Sequence, residues 1–289
     1  FTIFKRCMKI ISSVYELTVF LSNHSKKDAL GFIPTMGALH KGHASLVKKS
    51  LTQNDLSLCS IFVNPTQFNN NADLKSYPNR LEEDLKLLNE IGCDLVFTPS
   101  IAEIYPDGLP HKEYDFGQLD KVMEGVNRPG HFNGVAMVVS RLFEIIQPQK
   151  AYFGEKDFQQ LAIIKSLAAQ KFKNIEIIPC STLREKDGLA MSSRNLLLNK
   201  RYRAAAPRIY QRLLSVQKRA KNTTVSELSA WMVNSFEKDE DLVLEYFEIA
   251  DAKSLKKSAC WSDFPKHIAC LAVFAGSTRL IDNILLEIN

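Results

Sequence analysis

His40 and His43 stand three residues apart in the run GFIPTMGALHKGHASLV (31–47), with Gly37 and Gly42 close by. Imidazoles at that spacing share one side of a helix start, where their N–H groups can bond phosphate oxygens as charge grows in a transition state. Glycine lets the backbone approach a ligand, and a helix opening at Lys41 to His43 offers unpaired N–H groups and a positive dipole end to the same anion. Zinc ligation and plain core packing are the competing uses of such a pair. Paired helical zinc ligands, however, take i, i+4 spacing around a glutamate, and here Lys41 and Gly42 lie between the two.

Four further segments carry residues of similar promise. NPTQF (64–68) supplies the neutral amides of Asn64 and Gln67, which can bond hydroxyls and a carboxylate without adding charge; Asn-Pro as a simple strand end is the alternative. FGEKDFQQL (153–161) places Lys156 and Asp157 on a strand-to-helix turn, with Gln160 one helical turn after Lys156. Lysine neutralises phosphate, and aspartate bonds ribose, holds hydrated magnesium, or merely caps the helix. LAMSSRN (189–195) presents Ser192, Ser193 and Arg194 in a polar loop flexible enough to close, suited to gripping terminal phosphates or, more plainly, to capping. NRPGHFNG (127–134) adds Arg128 and His131 at a turn before a helix. The acidic triplet EED (82–84) reads as a solvated helix face, with carboxylates standing behind the magnesium ligands as the alternative.

Such residues need rigid elements to position them. Short β-rich runs, LGFIPT (30–35), LCSIFVNP (58–65), CDLVFTP (93–99), KAYFG (150–154) and IEIIPC (175–180), alternate with helical stretches ASLVKKSLTQ, RLEEDLKLLNEIG and FQQLAIIKSLAAQKF. That alternation predicts an α/β fold: a Rossmann-like parallel sheet covered by helices on both faces. In RLEEDLKLLNEIG the leucines at 81, 85 and 88 with Ile91 form the predicted buried stripe, and Gly92 the stop. Beyond residue 180 the texture changes to two helical segments and a β-like end, LEYFEIAD and ACLAVFAG. The expected division is residues 1–180 and a smaller α+β domain over 181–289. In an open parallel sheet ligands bind beyond the carboxyl ends of the strands, and PTMGALHKGH, NPTQFN, GEKDFQQ and REKDGLAMSSRN each follow a predicted strand.

The bulk properties narrow the classes. With 289 residues, 45% hydrophobic and 24% charged, the chain can bury a sizeable core, and neither disorder nor a fibrous composition fits. A net charge of +5 without a basic stripe gives no nucleic-acid footprint, and clusters such as KSLKKS read as solvated faces. Six scattered cysteines without a C-x-x-C pair read as buried, reduced thiols of a cytoplasmic protein rather than disulfides or zinc ligands. HIACLAVFAG is too short to span a membrane, and FTIFKRCMKIISS lacks the apolar core and cleavage site of a signal peptide. Met8 is read as the natural start, with the first seven residues an upstream extension.

The blocks PTMGALHKGH, SIFVNPTQF, RPGHFNGV, FGEKDFQQL, AMSSRN and the terminal TRLIDN together resemble the pantoate–β-alanine ligases, within the wider nucleotidylyltransferase-like group. The resemblance covers almost the whole chain. It implies a Rossmann-like amino domain, a smaller carboxyl domain closing over the site, and a homodimer. The implied reaction joins D-pantoate to β-alanine with ATP and Mg2+, releasing AMP and pyrophosphate through a pantoyl adenylate. By motif, Met36, Gly37, Ala38, Leu39, His40, Lys41, Gly42 and His43 would line ATP, with His43 a general acid and His40 and Lys156 beside it in catalysis. Gly154, Glu155, Lys156 and Asp157, then Leu183, then Met191, Ser192, Ser193 and Arg194 would complete the nucleotide contacts. Gln67 and Gln160 would hold pantoate, Gln67 also meeting β-alanine, while Asn64, Arg128 and His131 are further candidates at the substrate. The family pattern has glutamate at Lys41, threonine at Met137 and lysine at Arg141, and none of these departures removes a proposed ligand.

Two other functions suit parts of the pattern. A nucleotidylyltransferase would keep the nucleotide in its product, but a phosphorylated acceptor calls for more cations than NPTQF and KDFQQ supply. A non-catalytic nucleotide-binding protein on the same fold would bind ATP without turnover.

Overall fold

The computed structural model describes residues 8–23, 29–68, 74, 77–109 and 112–288. Phe1 to Cys7, the residues read as an upstream extension, lie outside the described residues. The chain forms two compact units, one of residues 1–116, 128–155 and 160–181, the other of 117–127, 156–159 and 182–289.

The first unit contains β1 (Lys9–Ile11), α1 (Val14–Ser22), β2 (Leu30–Thr35), α2 (Lys41–Gln53), β3 (Leu56–Ile61), α3 (Leu81–Glu90), β4 (Leu95–Phe97), α4 (His131–Ile146) and β5 (Lys150–Gly154). Helix α5 (Phe158–Lys171) and strand β6 (Glu176–Cys180) follow. The six strands form one sheet in the order β1-β4-β3-β2-β5-β6, every pair parallel. From β2 the chain winds toward the β1 edge, and from β5 toward the β6 edge. With crossovers of one hand, the connecting helices α2 and α5 must lie on opposite faces. Side chains show two covered faces: Ile33, Cys59 and Val96 pack with Leu46, Val47 and Leu88 of α2 and α3, whereas the neighbouring Phe32 meets Phe143 of α4 edge-on at 6.3 Å. Strands buried on both faces carry continuous apolar runs, which is why LGFIPT and KAYFG read correctly from composition.

Helix α3 corrects one expected stripe. Leu88 is buried and Leu85 partly so, but Leu81 is exposed and Asp84 takes the inward place one turn before Leu88. The end of α3 is as read: Gly92 has φ 79°, and the N–H groups of Gly92 and Cys93 return to Asn89 and Leu88 carbonyls at 3.1 and 3.0 Å. This is the closure that a left-handed residue after the helix permits.

The second unit holds α6 (Lys200–Ala205), α7 (Pro207–Arg219), α8 (Val225–Glu237) and an antiparallel sheet β7-β8-β9 of Leu242–Asp251, His267–Ala275 and Thr278–Leu286. Ile209, Leu213 and Val216 of α7 and Leu228, Met232 and Phe236 of α8 pack with Leu271, Val273 and Leu280 of the sheet in one apolar core. Each such side chain contributes about 1.5–3 kcal/mol on burial.

Cys59, Cys93, Cys180 and Cys270 are buried free thiols, while Cys260 is exposed, a departure from the buried expectation. Burial holds Cys59 above its ordinary range and pushes Cys93 up to about 12. None of the described helices is long and apolar enough to cross a membrane.

Candidate active site

The loops after β2, β3 and β5 leave the carboxyl ends of three adjacent strands, where the winding reverses between β2 and β5. In the first of these loops Gly37 and Ala38 are both left-handed, with φ 80° and 49°. For Ala38 that conformation costs on the order of 1–2 kcal/mol. Asp84 offsets it: Oδ2 accepts the Ala38 N–H at 2.8 Å and Oδ1 accepts the Leu39 N–H at 2.6 Å. The carboxylate is buried, and its pKa is raised by loss of solvent, against which the two amides work. The acidic triplet is therefore not one solvated face. Glu82 and Glu83 are exposed, but Asp84 points the other way because it shares the helical stripe of Leu88.

His40 is the N-cap of α2, and its Nδ1 accepts the Gly42 N–H at 3.1 Å. His43 returns the bond, its Nδ1 accepting the His40 N–H at 3.3 Å. The rings lie 4.0 Å apart between centroids, tilted by 36°. An acceptor Nδ1 carries no proton, so in each neutral imidazole the N–H is at Nε2. At this helix start the Gly42 N–H has an acceptor within the protein, as do the N–H groups of Gly37, Ala38, Leu39 and His40 in the loop before it.

Gln67 ends a 3-10 turn, Pro65–Gln67, that Asn64 caps after β3. Its Nε2 donates to Met36 Sδ at 2.9 Å, which joins the β3 turn to the β2 loop. Behind it, Asn64 is committed to structure: Nδ2 donates to Thr66 Oγ1 and to the Gly134 carbonyl, and Oδ1 accepts the Tyr105 hydroxyl at 3.0 Å. Burial raises Tyr105 to about 12, so it remains a donor. His131 Nδ1 lies 2.8 Å from the Gln67 carbonyl, and Arg128 Nη1 lies 3.2 Å from His131 Nε2. Arginine only donates, so Nε2 accepts and Nδ1 carries the proton that holds the carbonyl. Gly134 permits this packing, because a Cβ there would stand 2.2 Å from the Thr66 carbonyl oxygen. Of the amide, imidazole and guanidinium candidates in this unit, Gln67 thus meets the loop of Met36 while Asn64, Arg128 and His131 fix it from behind. Gln160 lies half-buried in the first turn of α5, Gly154 ends β5 and Glu155 follows it.

The remaining candidates belong to the second unit. Lys156 is largely buried, with Nζ 3.6 Å from Asp157 Oδ1. Leu183 is exposed. The segment from Leu183 to Met191 is a hairpin, with Arg184 bridged to Ala190 and the Met191 N–H on the Leu183 carbonyl, rather than an irregular loop. Ser192 Oγ caps the following 3-10 turn by accepting the Arg194 N–H at 3.3 Å, and Ser193 and Met191 are buried. Capping is therefore part of what Ser192 does.

The sequence motifs mark neither Tyr105 nor the inward turn of Asp84 within its acidic triplet. For Asp84 the signal was available, since 84, 88 and 91 have the i, i+4, i+7 spacing of an inward stripe.

The family model for pantoate-beta-alanine ligase matches residues 9–285. The pantothenate synthetase of Bacteroides thetaiotaomicron is 47% identical over 278 residues, 96% of this chain and 98% of that one. That of Cytophaga hutchinsonii is 44% identical over 279 residues, with 96% and 98% covered. Among solved structures, pantothenate synthetase from Thermus thermophilus superposes with a TM-score of 0.89 at 38% identity, covering 96% of this chain and 99% of that one. The Francisella tularensis pantoate-beta-alanine ligase complexed with beta-gamma ATP and beta-alanine gives 0.81 at 37%, covering 96% and 97%. Since the match runs nearly end to end in sequence and in fold, this chain belongs to the pantoate–β-alanine ligase family.

Proposed function

We propose that this enzyme condenses D-pantoate with β-alanine in two steps on one site. In the first, a pantoate carboxylate oxygen attacks the α-phosphorus of ATP, the bond to the β-phosphate oxygen breaks, and pantoyl adenylate and pyrophosphate form. In the second, the neutral β-alanine nitrogen attacks the activated carbonyl, the bond to AMP breaks, and the nitrogen loses a proton. Pantothenate and AMP leave.

The observation that carries this reading is the double tie of His40 and His43 through Nδ1 to the start of α2. Both rings then present Nε2–H as donors held by backbone, the preorganised arrangement that stabilises charge as it moves onto phosphate. Lys156, Ser192, Ser193 and Arg194 act on the phosphates, and residues 36–43, 154–157, Leu183 and Met191 complete the nucleotide contacts. Gln67 and Gln160 hold pantoate. The Gln67 amide donates to a thioether, a weak acceptor, so exchanging it for a substrate oxygen costs little. Asn64, Arg128 and His131 serve the substrate through Gln67.

Mg2+ would supply neutralisation of triphosphate charge, and Asp157, beside Lys156, is the carboxylate that would hold the hydrated ion. A homodimer and a cytoplasmic setting belong to the same proposal.

The test is exchange of labelled pyrophosphate into ATP, with D-pantoate present and β-alanine absent. Exchange is expected, with AMP accumulating only after β-alanine is added. ATP binding without exchange would defeat the adenylate route.

A further inference from the structure

Strand β9 carries polar residues on both faces, and their partners are the two segments of the second unit that hold the expected phosphate-handling groups. Asn283 Nδ2 donates to the carbonyl of Lys156 at 2.9 Å. The backbone of the same residue meets the Leu183–Met191 hairpin: its carbonyl accepts Arg184 Nη2 at 3.4 Å, and its N–H donates to Asp282 Oδ1 at 2.8 Å. Asp282 in turn holds Arg184 with both oxygens, at 2.6 and 2.9 Å, and Arg184 lies over the Tyr210 ring at 3.5 Å. Because side chains alternate along a strand, the neighbours Asp282 and Asn283 reach opposite ways, one to the hairpin and one to Lys156. A single peptide of β9 thus sets the register of both.

A second tie fixes the far end of the Lys156 segment. Arg279, on the Asn283 face of β9, holds Glu124 with two bonds of 2.7 Å. The Glu124 N–H donates to Gln159 Oε1, and Gln159 Nε2 donates to the carbonyls of Leu119 and Val122. The stretch from Lys156 to Gln159 is therefore held at both ends by groups anchored on β9.

We infer that Asn283 is a positioning residue for Lys156, setting the backbone from which its ammonium meets nucleotide phosphate. This rests on the proposed role of Lys156 in adenylate formation. Asn283 itself touches no substrate and acts through the Lys156 carbonyl.

The test is a double-mutant cycle read by pantoate-dependent pyrophosphate exchange, using Asn283→Ala, Lys156→Ala and the pair. Lys156→Ala is expected to lower exchange roughly a hundredfold and Asn283→Ala about tenfold, as a small misplacement of a catalytic group does. The pair should be no slower than Lys156→Ala alone, because Asn283 has nothing left to position. Asn283→Gln, which keeps an amide donor, should recover part of the rate. Asn283→Asp, isosteric but without that donor, gives the same reading if the alanine variant folds poorly. Multiplicative losses in the pair, or an Asn283→Ala enzyme of unchanged exchange, would overturn the inference while leaving Lys156 in the mechanism. An unchanged Lys156→Ala rate would remove Lys156 itself, and the inference with it.

Discussion

The carboxylate of Asp84 spans two consecutive amides of the β2–α2 loop, with Oδ2 2.8 Å from the Ala38 nitrogen. A side chain 46 positions along the chain therefore stabilises the left-handed turn that delivers His40 to the start of α2. Replacing it by Asn leaves one of the two amides facing an NH2 group, at a cost of about 1–3 kcal/mol. Asp84→Asn is expected to lower the urea midpoint and to reduce adenylate formation without touching either histidine. Wild-type values for both would show that the loop holds its shape unaided.

The same carboxylate has a defined pH signature. Its native pKa lies above the unfolded value, so between the two the folded state binds more protons and stability falls as pH rises. The protonation-linked part of Asp84's contribution is fully present below the ordinary carboxylate value and is lost as pH climbs through its raised one, while the two amide bonds remain. The stability gap between wild type and Asp84→Asn should therefore narrow with rising pH across that window. Chemical denaturation at pH steps through the window measures it, and a gap that widened with pH would reverse the sign assigned here.

His40 has two duties that substitution can separate. As N-cap its Nδ1 is worth about 1 kcal/mol, and Asn caps equally well. As donor its Nε2 reaches a place that Asn does not. His40→Asn should keep the thermal midpoint within about 2–4 °C of wild type, yet lose roughly a hundredfold in pyrophosphate exchange. His43→Ala should lose a similar factor. Retained exchange in His40→Asn would confine His40 to capping.

What could be read from sequence was what local pattern encodes. Leu30–Thr35 and Lys150–Gly154 were legible because doubly buried parallel strands are unbroken apolar runs closed by turn residues. His40 and His43 stand out in sequence by their spacing, and Gln67 as a neutral amide at a strand end. Strand β1 was not, since three residues carry no period. Nor was β9, whose Arg279 and Asp282 interrupt its apolar run; the Asp282 partner, Arg184, is 98 positions away and leaves no local mark. Asn64 was legible as a polar group but not as a committed one, because its partners Tyr105 and Gly134 arrive from other elements.

Gly134 gives a test of the support behind Gln67. A methyl group there would stand 2.2 Å from the Thr66 carbonyl and 2.7 Å from Gln67 Cα. Backbone cannot swing aside as a flexible side chain can, so the turn must shift, at about 1–3 kcal/mol. Gly134→Ala should raise the pantoate KM several-fold while the ATP KM stays near wild type. Equal rises in both would mean that the turn does not serve one substrate.

Arg184 closes the set, because its guanidinium combines a two-oxygen bond to buried Asp282 with stacking over Tyr210. Lysine keeps the charge but neither the planar fork nor the stacking surface. Arg184→Lys leaves Asp282 with one donor from this side chain where it had two, and frees the Gly188 and Asn283 carbonyls that Arg184 also binds. The expected loss is about 2–3 kcal/mol in urea unfolding, since weakening one side of a buried pair exposes the desolvation cost of the other. If the hairpin presents Ser192 to Arg194 to phosphate, the ATP KM should rise in the same variant and the pantoate KM should not. A stability loss with both KM values unchanged would make the Arg184–Asp282 pair an architectural contact of the second unit alone.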